Sequence, residues 1–78
     1  MAELISKAFG WVVEVSQPAP GVVLQFNVAE PIKAQAVAAV RRRIPQAATA
    51  EVEAKAALSS HMVYGVLRMK RGDVVQIG

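Results

Sequence analysis

Two apolar blocks stand near the front of the chain, Trp11-Val12-Val13-Glu14-Val15 and Val22-Val23-Leu24-Gln25-Phe26-Asn27-Val28. Both are rich in β-branched and aromatic residues, which suit a pleated, half-buried surface. Ser16-Gln17-Pro18-Ala19-Pro20-Gly21 separates them. Pro18 and Pro20 have no N–H to give to a ladder, so the pattern predicts a hairpin with a longer connection. The stretch before it, Ala2 to Phe9, suits one or two helical turns or an arm.

After Glu30 the period changes. Ile32, Ala36, Val37, Val40 and Ile44 recur at helical spacing, and Pro31 is tolerated at a first helical position because its missing N–H would be unpaired there. A helix is expected from Glu30-Pro31 to near Arg43, where Pro45 drives Ile44 out of the helical region. Thr49 then reads as an N-cap with Glu51 in the first turn, predicting a second helix through Val52-Glu53-Ala54-Lys55-Ala56-Ala57 to near Leu58. Ser59 and Ser60 supply a further capping signal.

The segment from Ser60 onward fits two structures. As a helix from Ser60 to Arg71, at about 100° per residue, it puts Met62, Val63, Val66, Leu67 and Met69 on one arc. His61, Tyr64, Gly65, Arg68 and Arg71 fall on the opposite arc. As a strand, Met62 to Leu67 would pair through a Lys70-Arg71-Gly72-Asp73 turn with Val74 to Ile77. The first reading is an α+β fold with an N-terminal β-hairpin, a helix-turn-helix and a C-terminal strand. The alternative is a four-stranded antiparallel sheet with one or two helices.

Composition bounds both. Apolar residues make up 54% of the 78, yet alanine and valine dominate them, and Phe9, Trp11, Phe26 and Tyr64 are the only aromatics. One small domain, residues 1–78, is all such a core supports, and its thin stability margin favours a homodimer or a protein partner. The absence of cysteine excludes a disulfide scaffold and a thiolate metal site. No apolar run approaches the roughly 18 residues of a membrane span, and no signal-like layout opens the chain, so a soluble cytoplasmic protein without membrane contact is expected. The net charge of +3 is uneven, −1 over residues 1–39 and +4 over residues 40–78. A basic half raises the prior for an anionic partner.

Arg41-Arg42-Arg43 has a purely structural reading, since cations in a last helical turn meet the negative end of the helix dipole. The string Val37-Ala38-Ala39-Val40-Arg41, Thr49 to Ala54, Leu58-Ser59, Val63, Leu67 and Arg71-Gly72-Asp73-Val74 resembles the winged helix-turn-helix family over residues 32–78. The resemblance implies a Thr-initiated second helix, a Leu-Ser turn into a recognition helix, and an Arg-Gly-x-Val start to the wing. It makes Ser59, Ser60, His61, Tyr64 and Arg68 candidate base or phosphate contacts, with Lys70 and Arg71 at the wing base. With no second wing strand after Val74 to Ile77, the N-terminal hairpin would pair with the last strand instead.

These residues suggest a small sequence-specific DNA-binding protein, a transcriptional regulator, with double-stranded DNA as partner. Arginine can donate two bonds to guanine, and Arg41, Arg42, Arg43, Lys70 and Arg71 would meet phosphates. The second reading is a protein-binding or assembly module of viral accessory or structural type, using a strand edge or an apolar face. RNA binding ranks third, because no strand carries paired aromatics for stacking. An enzyme is not expected, nor a cofactor, metal or small-molecule substrate. His61 is the lone histidine, and on a helix Glu51 and Glu53 would point apart.

Overall fold

A computed structural model of the chain describes residues 8–17, 21–48 and 50–77. The proposed N-cap Thr49, the loop prolines Pro18 and Pro20, and most of the Ala2 to Phe9 segment lie outside the described residues. The hairpin forms as expected. Strand β1 (Gly10–Ser16) pairs antiparallel with β2 (Val23–Val28), in the register Val13 opposite Phe26. Helix α1 (Lys33–Arg43) comes next, then a 3-10 turn at Pro45–Ala48. Its C-cap Ile44 is extended at φ −112°, as a residue before proline must be. The start is later than expected: Pro31 precedes the cap residue Ile32.

The Thr49 to Leu58 segment is not a helix. Glu51–Leu58 forms strand β3, antiparallel to β1. Alanine favours a helix by less than about 1 kcal/mol per residue, and Glu51-Val52-Glu53-Ala54 alternates polar and apolar with a period of two. As a strand it turns Val52 and Ala54 onto the core beneath α1 and leaves Glu51 and Glu53 exposed.

Strand β4 (Val74–Gln76) completes a four-stranded antiparallel sheet in the order β3-β1-β2-β4. It pairs with β2, so the N-terminal hairpin does receive the last strand. The four-stranded alternative is the fold class the chain adopts, but its strands are not the four anticipated. Residues 51–58 take the place expected of Met62 to Leu67.

Those residues form neither a strand nor a helix reaching Arg71. His61–Val66 is a single turn of π-helix, closed by the Leu67 N–H donating to the Met62 carbonyl at 2.8 Å. Arg68 then enters the left-handed region at φ 53° and ends it. Of the expected apolar arc, Val63 and Met69 are buried, whereas Met62 and Val66 are exposed. The helix-turn-helix is therefore not formed: the second helix is β3 and the recognition helix is one turn.

Alternation along the strands gives the sheet two differently covered faces. Val13, Val15, Phe26 and Val28 lie on the face covered by Ala36, Ala39 and Val40 of α1. On the other face, at the end marked by Gly10 and Leu58, the π turn packs Val63 and Met69 against Ala29, Phe9 and Leu58. The aliphatic content that looked meagre is divided between two small cores.

Candidate functional site

The basic residues do not converge. Arg41, Arg42 and Arg43 end α1 beside the start of β3. The Arg41 guanidinium Nη1 donates to the carbonyls of Ala47 at 2.9 Å and Ala50 at 3.4 Å, so it ties the helix end to the loop entering β3. Arg42 and Arg43 are exposed. Arg71 lies at the opposite end of the sheet, its Nε 4.0 Å from Glu30 Oε1 just before α1 begins. An 11-residue helix, about 16 Å long, separates the two groups.

Around the π turn, Ser59 acts as a cap, its hydroxyl accepting from the Met62 N–H at 3.2 Å. Ser60 and His61 are exposed, and Tyr64 stands edge-on to Phe9 with ring centroids 6.3 Å apart. Gly65 meets neither a neighbouring helix nor a closely packed backbone; a Cβ there would stand 3.3 Å from the His61 ring. Lys70 is occupied through its backbone, its N–H donating to Asp73 Oδ2 at 2.8 Å in the turn that leads to β4. Ser59, Ser60, His61, Tyr64, Arg68, Lys70 and Arg71 thus share one end of the fold, but no helix presents them as a row. The geometry that a major groove requires is not assembled from them.

A different surface emerges at the far edge of the sheet. β3 has eight residues, and among the described residues only β1 pairs with it. The Gln17 N–H donates to Val22 O, so the odd residues of β1 bond toward β2 and the even ones toward β3. Glu51 and Glu53, opposite Ser16 and Glu14, therefore spend their backbone groups on β1. Val52 and Ala54 turn theirs outward. The other sheet edge, β4, has only three residues, a length that limits pairing.

The side chains along β3 are held in place. Lys55 Nζ lies 3.3 Å from Glu53 Oε1 and 3.9 Å from Glu14 Oε1, and Glu14 Oε2 accepts from the Gln25 amide at 3.2 Å. The register shifts at Lys55, where Ala54 and Ala56 oppose Val13 and Val12, so Lys55 is the extra residue of a β-bulge. The expected second helix hid this edge, although the alternation of Glu51, Val52, Glu53 and Ala54 was its signal in the sequence.

Three further apolar side chains, Val23, Val75 and Ile77, are about half exposed. By register they share the sheet face opposite α1. No group of three or more acidic or histidine side chains that could hold a metal ion occurs among the described residues. Nor is any helix among them long and apolar enough to cross a membrane. A scan against protein-family models finds no match to this chain, and searches of curated proteins and of solved structures find none either.

Proposed function

We propose that this protein is a small assembly module that binds by accepting a strand at the outer edge of β3. The observation that carries this reading is an eight-residue edge strand whose outward N–H and C=O groups, at Val52 and Ala54, have no strand beside them among the described residues. Strand addition satisfies such groups and uses alternate side chains for selection. The strand is anchored, with Val52 and Ala54 packed on the core and Glu14 holding Lys55 from the neighbouring strand.

With the second and recognition helices not formed, the DNA-binding reading keeps only the basic charge of residues 40–78 in its support. Its arginines sit at two ends of the fold, and Arg41 is engaged with Ala47 and Ala50. The two readings separate in one titration series monitored by backbone amide shifts. A synthetic peptide with the sequence Gly10–Ser16, the natural antiparallel partner of β3, is expected to shift Val52 and Ala54 and to leave β4 unmoved. Absence of any shift at millimolar peptide overturns the assembly reading. Duplex DNA is expected to bind weakly and without dependence on Arg68. Salt-sensitive binding that Arg68→Ala abolishes would favour the regulator instead.

A further inference from the structure

We infer that the strand accepted at the β3 edge is a short basic one, with lysine or arginine at the alternate positions that face Glu51 and Glu53. The inference rests on the strand-addition reading above and goes beyond it by giving the partner's chemistry.

The usable edge is bounded at both ends. Lys55 is the extra residue of the bulge, and its Nζ lies 3.3 Å from Glu53 Oε1 and 3.9 Å from Glu14 Oε1, so it shares their face and breaks the alternation of the strand. A regular ladder can therefore follow β3 over residues 51–54 and stops there. On the other side, Arg41 Nη1 already donates to the Ala50 carbonyl at 3.4 Å. Between these limits Val52 and Ala54 turn their N–H and C=O groups outward. An antiparallel partner meets those two residues in hydrogen-bonded pairs, and meets Glu51 and Glu53 in the closer non-hydrogen-bonded pairs.

Charge and packing then fix the pattern of that partner. Glu51 is exposed and makes no ion pair among the described residues, and the Glu53 side chain is 71% exposed. With Glu14 they place three carboxylates on this part of the face opposite α1, against the single ammonium of Lys55 among the described residues. A cavity of about 320 Å³, lined by Ser16, Arg41, Glu51, Val52 and Glu53, leaves room beside both glutamates for a long side chain. The cation in its wall, Arg41, is turned to the carbonyls of Ala47 and Ala50. Opposite Val52 and Ala54, which pack on the core, apolar residues suit. From its N-terminus the partner therefore runs apolar-basic-apolar-basic, each basic residue gaining an opposite-charge pair across the strands. A second β3 using the same outward groups would instead set Glu53 against Glu53. Leu67-Arg68-Met69-Lys70 is the one stretch of this chain with the required pattern, and it is already committed: Met69 is buried and its N–H donates to the Val63 carbonyl at 2.8 Å. The occupant is thus a basic segment of another protein.

Titrating the full chain at low salt with two end-blocked peptides, Thr-Val-Lys-Val-Lys-Thr and Thr-Val-Glu-Val-Glu-Thr, tests this through backbone amide shifts. The basic peptide is expected to shift Val52 and Ala54 and to bind roughly tenfold more tightly than the acidic one. Added salt should narrow that difference. The double variant Glu51→Lys with Glu53→Lys should reverse the preference, and Glu51→Gln, a change at an exposed side chain, should by itself reduce it by about threefold. Equal binding of the two peptides, or a preference that survives these substitutions, would overturn the inference. So would shifts of Val52 and Ala54 that grow with protein concentration before any peptide is added, which would give the edge to a second copy. If the Gly10–Ser16 peptide shifts Val52 and Ala54 but the basic peptide binds no better than the acidic one, the basic partner falls and the edge reading stands. If no peptide shifts them, both fall.

Discussion

Val63 sits over Gly10: a Cβ built on Gly10 would stand 2.9 Å from Val63 Cγ2 and 2.5 Å from the Val28 carbonyl oxygen. The missing side chain in β1 is the slot into which the π turn docks, and Val63 in turn is completely buried. Two segments distant in sequence are thereby made to agree.

Gly10→Ala is expected to destabilise the fold by about 1–3 kcal/mol, the usual cost of forcing extra volume into a packed site. Because one of the clashing atoms is backbone, the added methyl has little room for relief. Urea unfolding monitored by the single tryptophan, Trp11, measures it, and an unchanged midpoint would refute the close approach.

Val63 and Val66 offer a contrast between the observed turn and the expected helix. Both would lie on the buried arc of a helix from Ser60 to Arg71, but Val66 is 55% exposed here. Val63→Ala should cost roughly 1–2.5 kcal/mol, and Val66→Ala less than about 0.5 kcal/mol. Equal losses in a urea titration would point back to the long helix.

Left-handed backbone occurs at Arg68, with φ 53°, and at Gly72, with φ 90°. Arg68→Gly should relieve the clash of a Cβ in that region and stabilise the fold by about 0.5–1 kcal/mol, despite the more flexible unfolded chain. Gly72→Ala should do the reverse, losing about 1–2 kcal/mol. Thermal unfolding of the pair gives shifts of opposite sign if the backbone is as described.

The triple arginine should divide into unequal parts. Arg41→Ala removes the bonds to the Ala47 and Ala50 carbonyls and is expected to cost about 1 kcal/mol, whereas Arg42→Ala and Arg43→Ala each stay within about 0.5 kcal/mol. Chemical denaturation distinguishes these outcomes. Three equal and small effects would mean that the arginines act only through the helix dipole.

Much was legible in the amino acids themselves. The valine blocks on either side of Pro18 and Pro20 determined a hairpin, Pro45 determined where α1 ends, and Lys70-Arg71-Gly72-Asp73 determined a turn into the last strand. In each case a short-range rule suffices: β-branched crowding, the steric demand of proline on its neighbour, and the freedom of glycine at positive φ. The charges were legible as well, though not their placement.

Tertiary structure decided the rest. Residues 51–58 carry helix-favouring alanines, but β1 needed a partner, and a strand there buries Val52 and Ala54 against the core while exposing Glu51 and Glu53. Ser60 to Arg71 carries a helical pattern, but the slot at Gly10 admits one turn and one valine before the chain must reach Ala29, whose carbonyl accepts from the Gly72 N–H. The basic half of the chain is likewise split by α1 into two ends. Propensity differences of less than about 1 kcal/mol per residue yield to burial and strand pairing, and those depend on residues far away in sequence.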